Sequence, residues 1–252
     1  MTFPLLQAGE GAGGWGPLKL TLIPDMPTIL TVTKPRLTYK NWVGTLRQHR
    51  IIAVIRADSV AQGLHMAQAA AAGGIRLIEI TWNSEDPVTL LRTIQQALPE
   101  CWVGVGTVLS TWELESAIAT GAEFCFTPHT APALIQQARI AQIPISPGAM
   151  TPTEILSAWQ AGAASVKVFP IRQLGGGDYV RALQGPLGQV PLIPTGGVDE
   201  ASALDLLSHG AIAVGLSSGL FLKQDVHRQN WRAIQQRATQ LMSLPASPKY
   251  SP

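Results

Sequence analysis

A helical stretch that ends in glycine and runs into a short β-branched segment recurs along the chain, as AAGGIRLIEIT, ATGAEFCFTP, QAGAASVKVFP and SHGAIAVGLSS. Gly74, Gly121, Gly162 and Gly210 mark the joints. Their spacing of roughly 40 to 50 residues is that of one strand–helix unit. Each suits the left-handed position just past a helix C-terminus. Helix starts are marked by Ser59-x-x-Gln62, Ser110-x-x-Glu113 and Thr151-x-x-Glu154, which read as capping boxes. The other apolar runs complete a set of strand candidates: 51–55, 77–81, 102–107, 124–127, 145–147, 165–169, 191–194 and 211–215. Helical patterns lie between most of them. A leading helix is predicted over Tyr39–Gln48 and a closing one over Trp231–Leu241.

Strict strand–helix alternation implies a parallel α/β sheet. Eight strands in a single domain imply closure into a (β/α)8 TIM barrel, here with a short helix before the first strand. The rival is an open doubly wound sheet, but no GxGxxG follows the first strand. Residues 1–36 are rich in Gly and Pro without a steady period and read as an irregular extension. The barrel is expected over 37–243, and 244–252, punctuated by Pro and Ser, as a disordered tail.

Composition narrows the function. A net charge of +2 carries no electrostatic footprint for nucleic acid. No apolar run approaches the ~20 residues of a membrane helix. The first residues lack the basic and apolar regions of a signal peptide, so a cytoplasmic protein is expected. Cys101 and Cys125 form no CxxC or Cys/His cluster, and the five histidines show no metal-ligand spacing. His129 follows the fourth predicted strand and reads as a loop residue. Charged residues make up only 13% of the chain, which suits a protein with apolar surface buried in an oligomer.

Lys167 breaks this pattern. It is the one lysine between Lys40 and Lys223, and it interrupts the apolar strand SVKVF. Alternation puts it on one face with Ser165 and Phe169, with Val166 and Val168 on the other. The valines suit the helix-facing side of a barrel wall. Lys167 then points inward near the C-terminal strand ends, where barrel active sites lie. Burial disfavours an ammonium, and a neutral amine can attack a ketone. Position alone leaves two roles open: nucleophile, or a lysine in a buried ion pair.

Glu79 interrupts LIEIT in the same way and faces inward with Leu77 and Thr81. A buried glutamate can serve as acid and base near neutrality; it can equally be a structural partner for Lys167 or Arg56. Thr107 ends the third strand in GVGTVL, where its hydroxyl can bind a carboxylate or simply close a turn. Gly104 and Gly106 are expected to leave room for a substrate. PTGGV, with Thr195, Gly196 and Gly197, follows the seventh strand. GLSSG, with Ser217 and Ser218, follows the eighth. Exposed backbone amides and hydroxyls bind anions, and barrels often hold phosphate after these two strands. A phosphorylated small molecule is therefore the expected substrate.

With these residues placed, the chain resembles the bacterial 2-keto-3-deoxy-6-phosphogluconate (KDPG) aldolases, also active on 4-hydroxy-2-oxoglutarate (KHG). The resemblance runs from about Trp42 to about Leu241. It rests on AVIR (53–56), IEIT (78–81), GVGTVL (104–109), ISPG (145–148), VKVFP (166–170), PTGGV (194–198) and GLSS (215–218), in order and in spacing. It implies a class I aldolase of the Entner-Doudoroff type, without metal or cofactor and commonly trimeric. Lys167 falls on the Schiff-base lysine, Glu79 on the general acid/base, and Thr107 on the residue that binds the pyruvyl carboxylate. Gly196, Gly197, Ser217 and Ser218 fall in the phosphate pocket, and Arg56 on a basic residue at the mouth. One position departs: the family's main pattern has arginine four residues after the glutamate, where this chain has Asn83. An amide cannot form arginine's bidentate pair with a carboxylate. Asn-Ser here resembles the related 2-keto-3-deoxy-6-phosphogalactonate aldolases, whose substrate differs at C4. Two other rivals are a phosphate-binding isomerase or synthase needing no imine, and a non-catalytic barrel that senses a sugar phosphate.

Overall fold

The computed structural model describes residues 34–245. The predicted extension and tail lie almost wholly outside these residues.

Strand and helix alternate as expected. The order is α1 (Tyr39–His49), β1 (Ile51–Ile55), α2 (Val60–Ala72), β2 (Leu77–Thr81), α3 (Pro87–Ala97), β3 (Trp102–Gly106) and α4 (Thr111–Thr120). It continues with β4 (Cys125–Phe126), α5 (Pro132–Ile140), β5 (Ile145–Ser146), β6 (Gly148–Ala149), α6 (Pro152–Gln160) and β7 (Val166–Val168). A 3-10 turn (Ile171–Leu174), α7 (Gly177–Leu187), β8 (Leu192–Pro194), α8 (Glu200–Ser208), β9 (Val214–Leu216), α9 (Lys223–His227) and α10 (Trp231–Met242) complete it. Gly74, Gly121, Gly162 and Gly210 all have φ between +95° and +103°, the left-handed conformation expected of them. Ser110 with Glu113 and Thr151 with Glu154 form reciprocal capping boxes. Ser59 also caps its helix, but the Gln62 side chain accepts from Asp58 N instead of closing the box.

Every strand pair is parallel. Six strands form a curled half-barrel in the order β5-β4-β3-β2-β1-β9, and β6-β7-β8 form a second sheet. The predicted fifth strand is split at Pro147, which has no N–H to continue a ladder. The Pro147 carbonyl still accepts from Lys167 N at 2.9 Å, and Ile145 O from Ala164 N. At the other edge a bridge pairs Thr195 with Gly215, and Ile212 N donates to Leu192 O.

Alternation sorts the strand residues into two cores. Ile51, Ala53, Ile55, Ile78, Ile80, Val103, Val105, Val166, Val168, Val214 and Leu216 face the helices. Ile52, Val54, Leu77, Trp102, Phe124, Phe126, Ile193 and Ala213 form the inner core. α1 adds Trp42 and Leu46 to that inner set, at the N-terminal strand ends. The Trp42 ring lies 5.2 Å from Phe124, and its Nε1 donates to Ser165 Oγ at 2.9 Å. Ser165 in turn bonds Ser146 Oγ, so these three polar side chains satisfy one another. No helix among the described residues is long and apolar enough to cross a membrane.

Candidate active site

Above the plug two charged side chains enter the inner wall. Lys167 is 5% exposed and Glu79 1%. They come from different sheets, yet Lys167 Nζ lies 3.7 Å from Glu79 Oε1. That is an ion-pair distance but too long for a hydrogen bond, and Oε1 has no hydrogen-bond partner. Nζ also sits 5.7 Å from the Phe126 ring and 5.4 Å from the Phe169 ring, within cation–π range. Burial raises the Glu79 pKa above the ordinary carboxylate value; the Lys167 charge and, less strongly, Arg56 oppose the rise. Burial likewise pushes the Cys125 thiol up, with the Glu79 charge adding to it, so that sulfur is no nucleophile.

The carboxylate has its place because of Gly106. A Cβ at that position would stand 1.7 Å from Glu79 Oε1 and 2.4 Å from its Cδ. A Cβ at Gly104 would stand 2.4 Å from the Phe124 ring and from its carbonyl oxygen. The expectation that these glycines make room for a substrate is thus corrected: the chain's own side chains fill that space.

Thr107 follows at the end of β3 with φ +57°, half-buried and with no hydrogen-bond partner among the described residues. A β-branched residue rarely adopts this conformation. Thr81 bonds Ser84 Oγ, which accepts from Ala57 N, so the turn after β2 is tied to the end of β1. Asn83 is exposed at the tip of that turn, and Arg56 is exposed just after β1.

The glycine loops also lie at the C-terminal strand ends. Thr195 N donates to Val168 O, one residue beyond Lys167. Gly196 and Gly197 have φ of +97° and +76°. The buried Thr195 meets Gly215, and Ser217 and Ser218 are exposed just beyond it. Ser217 O accepts from Leu220 N and Phe221 N. Of the residues singled out for the site, Glu79, Gly104 and Lys167 lie within their strands, and the others at the C-terminal strand ends or in the loops that follow. Sequence reasoning passed over Phe126 and Arg172, which packs on Gly197. Alternation along β4 puts Phe126 with Phe124 on the inner face, which would have found it. No group of three or more His, Cys, Asp or Glu that could hold a metal ion occurs among the described residues.

The model of the aldolase family described as KDPG and KHG aldolase matches residues 43–237. The chain belongs to that family. It is 34% identical over 173 residues to the KHG/KDPG aldolase of Escherichia coli (strain K12), covering 67% of this chain and 81% of that one. It is 30% identical over 197 residues to the 2-dehydro-3-deoxy-phosphogluconate aldolase of Haemophilus influenzae, covering 78% and 93%. The crystal structure of KDPG aldolase from Legionella pneumophila, with pyruvate captured as a covalent carbinolamine, superposes with a TM-score of 0.74. That match has 25% identity and covers 80% of this chain and 98% of the other.

Proposed function

We propose that this aldolase cleaves KDPG to pyruvate and glyceraldehyde 3-phosphate through a Schiff base on Lys167, and KHG to pyruvate and glyoxylate by the same route. One observation carries the reading: Nζ of buried Lys167 faces an oxygen of buried Glu79 that has no hydrogen-bond partner. The Lys167 amine attacks the C2 ketone, and loss of water gives an iminium. Glu79 takes the proton of the C4 hydroxyl. The C3–C4 bond then breaks, its electrons move into the iminium, and the aldehyde leaves. The enamine takes a proton at C3, and water hydrolyses the iminium to release pyruvate and restore the amine.

Thr107 offers its unpartnered hydroxyl to the pyruvyl carboxylate, and Arg56 and Asn83 line the mouth. Thr195, Gly196, Gly197, Ser217 and Ser218 bind the phosphate, whose remote binding energy aligns the reacting carbon. The reading includes closure of the two sheets into one (β/α)8 barrel, which the contacts across Pro147 and the Thr195–Gly215 bridge support. It also includes a cytoplasmic homotrimer. A second reading, the 4-epimeric 2-keto-3-deoxy-6-phosphogalactonate as substrate, is favoured by Asn83 alone.

Borohydride with pyruvate should inactivate the enzyme and leave a reduced pyruvyl adduct on Lys167. Absence of the adduct, or its appearance on another lysine, overturns the assignment. Pyruvate release from both epimers and from KHG, coupled to lactate dehydrogenase, ranks the substrates.

A further inference from the structure

The two glycine loops contain no lysine or arginine, and Asp199 and Glu200 follow directly after the first. Hydroxyls and amides alone would have to hold a phosphate dianion beside these carboxylates. A cation is nevertheless built against the loop. Arg172 N donates to Gly196 O at 3.2 Å, just after Ile171 N donates to Thr195 O at 2.9 Å, so the 3-10 turn is in register with the loop. The Arg172 side chain then lies along Gly197. A Cβ on Gly197 would stand 2.7 Å from Arg172 Cδ and 2.8 Å from its Cβ. With φ at +76° as well, glycine is required there, and the close approach gives the arginine stem its path.

The guanidinium beyond Cδ makes no hydrogen bond or ion pair among the described residues, and Arg172 is exposed. Its charge still reaches the Asp199 carboxyl, which is held below its usual value chiefly by hydrogen bonds from Ser202. The same loop leads back to the reacting end. A Cβ on Gly196 would stand 3.0 Å from the Phe169 ring, whose centroid is 5.4 Å from Lys167 Nζ.

We infer that Arg172 recognises the terminal phosphate and makes the site selective for phosphorylated keto acids over those without a phosphate. This rests on the proposed aldolase reaction. In KHG the second carboxylate sits on the carbon where the bond breaks, so that substrate does not extend to Arg172. The selectivity is thus read as a contrast between the two substrates.

Arg172→Gln keeps the three side-chain carbons that pack on Gly197 and removes the charge. It should raise KM for KDPG roughly 10- to 100-fold, the effect of losing a hydrogen bond to a charged group. kcat on KDPG should fall with it, because the phosphate aligns the reacting carbon, while both constants on KHG should stay as in the parent. Arg172→Lys should restore part of the loss. Inorganic phosphate, titrated by its effect on melting temperature, should stabilise the parent at concentrations roughly 10- to 100-fold lower than the Gln variant. An unchanged KM for KDPG overturns the inference, as do equal losses on both substrates, which would mark Arg172 as structural. If the parent releases pyruvate from neither substrate, the aldolase reading fails instead. The phosphate titration then still decides Arg172, because equal stabilisation of parent and variant refutes its role.

Discussion

Replacing Gly106 by alanine tests whether the position of the Glu79 carboxylate controls the rate. The added Cβ would lie 1.7 Å from Oε1, whereas contacts under 3.0 Å are essentially never seen, so the oxygen must retreat by about 1.3 Å (3.0 minus 1.7). Gly106 is not among the residues with positive φ, so alanine fits its backbone and the strain falls on the contact. Misplacing a reacting group by about 1 Å costs on the order of 100-fold in rate. That corresponds to about 2.7 kcal/mol of lost transition-state stabilisation. Overpacking the wall should cost about 1–3 kcal/mol of stability, which an enzyme of this size can absorb. The assay is kcat for pyruvate release, alongside borohydride trapping of pyruvate on Lys167. kcat should fall about 100-fold while the trapped adduct still forms, because the clash is with the carboxylate and not with the amine. Alanine at Gly104 is the control: its Cβ meets the Phe124 ring and backbone, so it should lower stability first. A Gly106→Ala enzyme with parental kcat would refute the role of the Glu79 position.

Two further predictions concern this end of the wall. Burial raises the Glu79 pKa in the folded protein, so from about pH 4.5 upward to the raised value the native state binds a proton that the unfolded chain has lost. Stability should therefore fall as pH rises through that window. Urea denaturation across pH should show Glu79→Gln with a flatter profile there, and identical slopes would discount the raised value. Thr107→Gly should leave stability unchanged or raise it by up to about 1 kcal/mol, since relief of the left-handed threonine offsets the entropy of glycine. The same change should raise KM through loss of the hydroxyl. A stability loss above about 1 kcal/mol would show that Thr107 is not strained.

Much of this arrangement was legible because a parallel wall between two cores obeys a simple rule. Successive residues face opposite sides, so one polar residue in an apolar strand is assigned a face at once. Lys167 and Glu79 stood out for that reason, and the four helix-ending glycines set the repeat. What was not legible depends on neighbours that are distant in sequence. The role of Gly106 follows only from the register in which Thr81 lies beside Gly106 and Glu79 beside Gly104. Arg172 carries no sequence signal, because its stem meets Gly197 only in the folded chain. The left-handed backbone of Thr107 could not be foreseen, since threonine is disfavoured there. The split at Pro147 could have been: a proline inside a candidate strand forecasts a broken ladder.

The buried polar groups of the inner wall separate into two kinds, and the difference argues for where the chemistry lies. At the N-terminal end, Trp42, Ser165 and Ser146 satisfy one another, and the inner core continues around them. Near the mouth, Thr81 and Ser84 pair and take up the Ala57 amide. Such matched groups are compatible with a purely structural purpose, because their desolvation is offset within the network. Glu79 differs, with Oε1 buried and without a hydrogen-bond donor and Lys167 held just beyond bonding distance. An unsatisfied buried acceptor costs about 1–3 kcal/mol, and folding gains nothing from it. An acceptor that is costly in the free protein, and relieved when a substrate hydroxyl donates to it, favours a bound reacting state over the resting one. A variant that closed the 3.7 Å Lys167–Glu79 spacing into a tight salt bridge should therefore be more stable and less active, and parental activity in such a variant would refute the argument.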